Sequence, residues 1–252
     1  MVTLQDLPHE ILIDIFLYSS NPQLVITSKG LYQYLANLPA SVKAEWLMIK
    51  YAHDPRLAFH HGVRWAFFNH DVLRNLDKRY QAIARLELEE GKRDSDRPQK
   101  RRRLSKPTLA IKAPSSNALI PISFAGKKVP YTFFDQSPTP PERIALIETL
   151  LTRGANVNEP NGYPIIRSSS LGNQRMIKLL LSYGADPSIR KNSALKLAAG
   201  HGHVDTVRLL LENGVKPDAD VLKITVKKEF WDIVKLLMDH GAVPDMATLN
   251  TL

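Results

Sequence analysis

The sequence predicts an all-α chain in which an N-terminal three-helix module precedes a short solenoid of helix pairs. Three observations lead there. Four leucine-rich runs, Thr149 to Arg153, Leu179 to Tyr183, Leu209 to Asn213 and Leu236 to His240, each end at a glycine: Gly154, Gly184, Gly214 and Gly241, spaced 30, 30 and 27 residues apart. Each run closes an amphipathic stretch; in the third, Val204, Val207, Leu210 and Leu211 recur at helical spacing. The first twenty residues carry a separate apolar stripe behind a capping acid and a proline.

Residues 1–52 form the first module. Asp6 can cap a helix with Pro8 in its first turn, and Ile11, Leu12, Ile15 and Phe16 share one face. Asn21-Pro22 punctuates the chain, Leu24, Val25 and Ile26 lead to Ser28-Lys29-Gly30-Leu31-Tyr32, and a third helix runs from about Val42 to Tyr51 with Trp46 and Leu47 inside. Residues 53–90 read as a degenerate helix pair, Leu57 to Ala66 followed by Asp71 to Leu76.

Residues 91–138 are expected to be a basic, largely disordered linker or insertion. The chain carries a net charge of +9, and nearly all of it lies here: residues 91–136 hold 11 basic and 3 acidic side chains. The flanking regions are close to neutral, −1 over residues 1–90 and +2 over residues 137–252. Prolines 98, 107, 114, 121, 130 and 138 fall in the same stretch, so the basicity belongs to a connector and not to a folded face.

Residues 139–252 hold the repeats. Thr139-Pro140-Pro141-Glu142 has the form of a capping box launching the helix that ends near Leu151. Its inner partner is missing from the preceding sequence. Either residues 119–134 substitute in extended form, or the early pair stacks there and the basic segment loops out, the arrangement favoured here. A glycine follows each leucine run because a helix commonly stops with one residue at positive φ, where glycine has no Cβ penalty. Ala185-Asp186-Pro187 and Val215-Lys216-Pro217 then block helix resumption.

The fullest copy of the repeat is Ser193-Ala194-Leu195-Lys196-Leu197-Ala198-Ala199-Gly200-His201-Gly202-His203-Val204-Asp205. Its small alanines allow close helix approach, and Gly202 opens the turn. This resembles the ankyrin repeat, with its inner helix, Gly-His turn, leucine-rich outer helix and Gly-Ala-Asp finger. Tyr163-Pro164-Ile165-Ile166 with Gly172-Asn173 keeps the proline and the turn glycine, whereas Leu222-Lys223-Ile224 with Glu229-Phe230 keeps only the apolar positions. Periods below the usual repeat length imply shortened fingers. The resemblance implies a protein-binding surface made of fingers and the exposed face of the inner helices. Carried over position by position it points to Tyr163, Arg167, Arg190, Lys191, Lys196, Lys223 and Lys227 as target-binding residues. Six of the seven are cationic, and acids such as Asp205, Glu212, Asp232 and Asp239 fall on outer helices, so the expected target is acidic.

The N-terminal run Leu7, Pro8, Glu10, Ile11, Leu12, Ile15, Phe16, then Ser28 and Lys29, is similar to the F-box, and the similarity covers about residues 3–47. An F-box usually has a longer central helix ending in an aromatic, a role left here to Tyr32 or Tyr34. The structural alternative is a helical cap on the repeats. An F-box joined to ankyrin repeats looks like a combination common in fungi and some large viruses. It implies a substrate-recognition subunit of a Skp–cullin–F-box ubiquitin ligase. Leu7, Pro8, Ile11, Leu12, Ile15 and Phe16 would dock the Skp-type adaptor of the cullin complex, and the repeats would hold the target. The alternative is an ankyrin scaffold without ligase association.

Other chemistries find little support. The chain has no cysteine, which removes disulfides, thiolate catalysis and cysteine-ligated metals. His60 and His61 are adjacent and point about 100° apart on a helix, so they cannot chelate together. No phosphate-binding glycine loop or catalytic frame is recognisable, so no enzyme activity, cofactor or metal is expected. Met1 to Glu10 is not a signal peptide, and no apolar run nears the ~20 residues that span a bilayer, so no membrane partner is expected. Lys100-Arg101-Arg102-Arg103 fits a nuclear import signal, or a solvated charge run, and Arg102-Arg103-Leu104-Ser105 fits a basophilic kinase site. Cytoplasm, nucleus or both are the expected locations. Nucleic-acid binding is disfavoured because no aromatic platform accompanies the arginines.

Overall fold

A computed structural model describes residues 8–18, 33, 37–95 and 121–249. They fall into two compact units, Met1–Ser123 and Phe124–Leu252. Among the described residues the architecture is helical, with one isolated bridge, between Lys128 and Asn156, and no strand.

In the first unit, α1 (His9–Tyr18) packs on α2 (Ala40–Lys50), as the apolar stripe and the Trp46–Leu47 helix predict. The segment expected to connect them, including Ser28 and Lys29, lies outside the described residues, as do Asp6 and Leu7. Helix α2 buries Ala44, Trp46, Leu47 and Met48. It also buries the stem of Lys43, whose ammonium is pushed below its usual pKa by desolvation. Asp54 caps α3 (Pro55–Gly62) by accepting from the Arg56 and Leu57 amides at 2.7 and 3.3 Å, with Pro55 at the first helical position. α3 ends at Gly62, where a Cβ would stand 2.9 Å from Leu47 Cδ1, so it stops short of the expected Ala66.

The core of this unit is aromatic. The Trp46 ring meets Trp65 edge-on at 5.1 Å and Phe67 at 5.8 Å, and Phe59 stacks on Phe68. The Lys50 ammonium lies 5.1 and 5.5 Å from the Trp46 and Trp65 rings, which offsets part of the desolvation that lowers its pKa. Helix α4 (His70–Ser95) returns along α2 and α3.

The expected linker at 91–138 is therefore too wide. Helix α4 continues through Ser95, and residues 121–138 are built into the fold, with Ile122, Phe124, Val129, Phe133 and Phe134 all buried. The Ile122 amide donates to Asp77 Oδ1 at 3.2 Å in the first unit. The Phe124 amide donates to the Arg153 carbonyl at 2.9 Å in the second. Their apolar positions alternate or pair and do not recur at helical spacing, so periodicity gives no sign that they are buried. The basic run of residues 100–103, and Ser105 with it, lies outside the described residues.

The second unit is a row of outer helices, α5 (Pro141–Thr152), α7 (Gln174–Ser182), α9 (Val204–Glu212) and α11 (Trp231–Asp239). They alternate with inner helices α6 (Tyr163–Ser170), α8 (Ile189–Gly200), α10 (Ala219–Lys227) and the short α12 (Met246–Leu249). Inner helices pack on inner helices along the row, and outer on outer. Leu150, Leu180, Leu210 and Leu237, each four residues before its glycine stop, are completely buried. Each such leucine contributes about 1.5–3 kcal/mol of burial. The inner partner missing before α5 is supplied by the extended residues 124–130 and a 3-10 turn, Tyr131–Phe134, which packs against α6. That is the alternative to the favoured loop-out.

Thr139 is not the cap of α5. Its hydroxyl donates to the Gln136 carbonyl and accepts from Asn173 Nδ2 at 2.7 Å, while Pro140 occupies the cap position without a side-chain bond. Asn173 in turn caps α7 by accepting from the Met176 amide. The turns between inner and outer helices interlock: a Cβ at Gly172 would stand 2.8 Å from the His203 ring, and one at Gly202 3.3 Å from Phe230.

Candidate interaction surface

The fingers between helix pairs hold one another through a chain of hydrogen bonds. The Asn156 amide donates to the Lys127 carbonyl at 2.8 Å, the Asp186 amide to Asn158 Oδ1 at 2.9 Å, and Asn192 Nδ2 to the Lys216 carbonyl at 2.9 Å. Polar finger residues thus satisfy backbone groups that have no helix to join. Alongside them the 3-10 turn, α6, α8 and α10 form the inner layer.

The seven residues assigned to target binding split into two classes. Tyr163 is half-buried against Tyr131, ring centroids 4.8 Å apart and edge-on, and its hydroxyl donates to Asp135 Oδ1 at 3.2 Å. Burial first, then the Asp135 charge, holds its phenol above the usual pKa. Arg167 Nε donates to the same carboxylate oxygen at 3.3 Å. Lys196 Nζ sits between Asp218 Oδ2 at 3.0 Å and Asp220 Oδ2 at 2.8 Å. The Asp220 bond is the main reason its pKa rises, and the same bond lowers that of Asp220. Arg167 and Lys196 therefore already have acidic partners within the fold.

Arg190 and Lys191 differ. Both are exposed, and neither forms an ion pair among the described residues. They sit with Asn192 in three consecutive left-handed conformations, φ 55, 55 and 59°, so α8 turns right-handed only from Ser193. Left-handed non-glycine residues cost about 1–2 kcal/mol each. The Asn192 bond to the next finger, and Ser193 Oγ donating to the Arg190 carbonyl at 2.6 Å, hold the turn in place. Lys223 and Lys227 are exposed on α10, and the field of Lys223 helps lower the pKa of both Asp220 and Asp245.

The expectation of acids confined to outer helices fails, because Asp135, Asp218 and Asp220 reach the inner layer. Asp218 carried a usable signal. It stands as a cap directly before the apolar run of α10 and accepts from the Val221 amide at 3.0 Å. For Asp135 and Tyr131 no periodic signal exists. Lys128, 5.8 Å from the Tyr131 ring, completes the aromatic corner with Arg167.

In the first unit, α1 divides its expected adaptor contacts. Leu12 is 7% exposed and faces the core, Ile15 is half-buried, and Ile11 at 46% and Pro8 are open to solvent. Leu7 and the Phe16 side chain lie outside the described residues. Among the described residues no cluster of histidines and carboxylates is arranged to hold a metal ion. Among the described residues no helix is long and apolar enough to cross a membrane.

Comparison with known proteins gives a local result. A family profile for ankyrin repeats, in three copies, matches residues 142–221. An ankyrin repeat protein of Fowlpox virus (strain NVSL) is 35% identical over 78 residues. That match covers 29% of this chain and 12% of the viral protein, so the chain spans a small fraction of that relative's length. No F-box match is found, and no solved structure matches. The helix pairs, the interlocked turns and the matched profile agree: the C-terminal region contains ankyrin repeats, and the role they imply is binding a protein partner.

Proposed function

We propose that this chain is the substrate-recognition subunit of a Skp–cullin–F-box ubiquitin ligase, with α1 docking the Skp-type adaptor and the repeats holding the target. The observation that supports it most is the division of α1. Leu12 is buried on a helix that packs on α2, while Ile11 of the same helix and Pro8 just before it stay exposed, more apolar surface than a cap needs to show. The chain has no catalytic role in this reading: ubiquitin transfer is done by other subunits, and the repeats act by placing target lysines within reach. Lys100, Arg101, Arg102 and Arg103 would direct nuclear import, and phosphorylation of Ser105 would oppose it. The test is co-purification of the full chain with a Skp-type adaptor, beside a Pro8→Ala/Ile11→Glu variant. Adaptor capture by the parent and at least a ~10-fold loss in the variant is the expected result. Absence of capture by the parent, or equal capture by both, refutes the ligase role and leaves an ankyrin scaffold.

A further inference from the structure

Along the row of outer helices, equivalent positions change their environment at α11. Gln174, Val204 and Trp231 are equivalent, as are Ile177, Val207 and Val234, and Leu181, Leu211 and Met238. In α7 and α9 these residues are half-buried or buried, with Ile177 and Val207 completely covered, because the next outer helix lies on them. In α11 Trp231 is 54% and Met238 53% exposed, and Val234 is only half-buried. Trp231, Val234 and Met238 are spaced i, i+3, i+7 and form one stripe. Val243 and Met246, which follow in the chain, are also exposed, and among the described residues no further outer helix covers the stripe. The stripe carries the residue types of an interface centre, a tryptophan and methionines beside a valine.

We infer that this face is occupied by a second copy of the chain, α11 packing antiparallel on the partner's α11 about a two-fold axis. The stripe is self-complementary under that operation. Its midpoint lies between Val234 and Lys235, so Trp231 falls on the partner's Met238 and Met238 on the partner's Trp231, an indole–thioether contact made twice. The charges agree with it. An axis in the contact plane sets each flank of the stripe beside its equivalent, and along the helix axis Lys235 then lies about two residues, some 3 Å of rise, from the level of the partner's Asp232. Both residues are exposed, and neither forms an ion pair within the chain among the described residues. Two reciprocal Lys235–Asp232 pairs would fix the register, as self-complementary interfaces require.

The test is sedimentation of the full chain over a concentration series reaching about 100 μM, well above the dissociation constant of an ordinary specific homodimer. The parent chain is expected to be dimeric, and Trp231→Glu with Met238→Glu to weaken association at least ~10-fold. These residues are exposed, so the fold tolerates the change. Lys235→Glu or Asp232→Lys alone should weaken the dimer, and the two together should restore it. A parent chain monomeric throughout the series overturns the proposal and leaves the face to another partner. So does a dimer indifferent to both glutamates, which would lie elsewhere, or a charge swap that fails to restore association.

Discussion

Gly162 and Gly184 both have positive φ, 72 and 80°, but in opposite surroundings. At Gly184 an added Cβ would meet nothing within 4 Å, whereas at Gly162 it would stand 2.0 Å from Ile189 Cγ2. Alanine at Gly184 therefore costs only the left-handed backbone, about 1–2 kcal/mol. Alanine at Gly162 costs the same for the backbone and must also move Ile189 by more than an ångström to restore an ordinary contact of 3.4 Å or more. Ile189 has little freedom to yield, because the left-handed turn of Arg190 to Asn192 follows it and is tied to the Lys216 carbonyl. Overpacking of this kind adds about 1–3 kcal/mol. Chemical denaturation followed by far-ultraviolet circular dichroism should show Gly162→Ala less stable than Gly184→Ala by that margin. Adding Ile189→Ala to the first variant should recover most of the difference, since it removes the clashing methyl. Equal losses at the two glycines, within about 0.5 kcal/mol, or no recovery in the double variant, would refute the steric reasoning.

Two further outcomes follow from the same packing. Asn173→Ala removes both the cap of α7 and the bond to the buried Thr139 hydroxyl; a loss of about 1–3 kcal/mol in the same denaturation assay is expected, and a loss below that range would mean that water replaces both bonds. The Lys196–Asp220 pair lowers the Asp220 pKa and raises that of Lys196, so its stabilisation is present above the unfolded carboxylate value of about 4 and below the unfolded lysine value of about 10. It is lost as pH falls through the folded Asp220 value or rises through the folded Lys196 value. The difference in thermal midpoint between the parent chain and Asp220→Asn should accordingly be flat across neutral pH and vanish in acid, and a difference that persists at pH ~2 would contradict the assignment.

The repeats were legible because their core depends on one repeated spacing. A leucine four residues before each glycine is buried wherever it occurs, so recurrence in the sequence reads directly as a row in space. The partners of the inner face were less legible. Whether Asp218 and Asp220 meet Lys196 depends on how the finger between α9 and α10 turns, and helical periodicity carries no information about a turn. The six cations lie on the inner layer or its fingers, and the acidic partners of Arg167 and Lys196 come from turns and a helix start that periodicity does not describe. The burial of residues 121–134, open in the sequence only as the less favoured extended alternative, was poorly legible for a related reason. Prolines and lysines surround Ile122, Phe124, Phe133 and Phe134, and composition outweighed four buried apolar side chains that follow no helical period.

The contact of each turn with the glycine before it has a consequence for how such arrays can be rearranged. The imidazole of His203 fills the space that a side chain at position 172 would take, and the benzyl ring of Phe230 fills that at position 202. The third and fourth pairs thus each carry a ring that meets the turn glycine of the pair before. Exchanging the third and fourth pairs would keep every leucine in its row, yet it would set the larger, apolar ring of Phe230 against Gly172 and the imidazole of His203 against Glu229, which holds the turn position in the fourth pair. The order of the modules, and with it the sequence of side chains offered to a partner, is written into these rings and not into the leucine core that all the modules share.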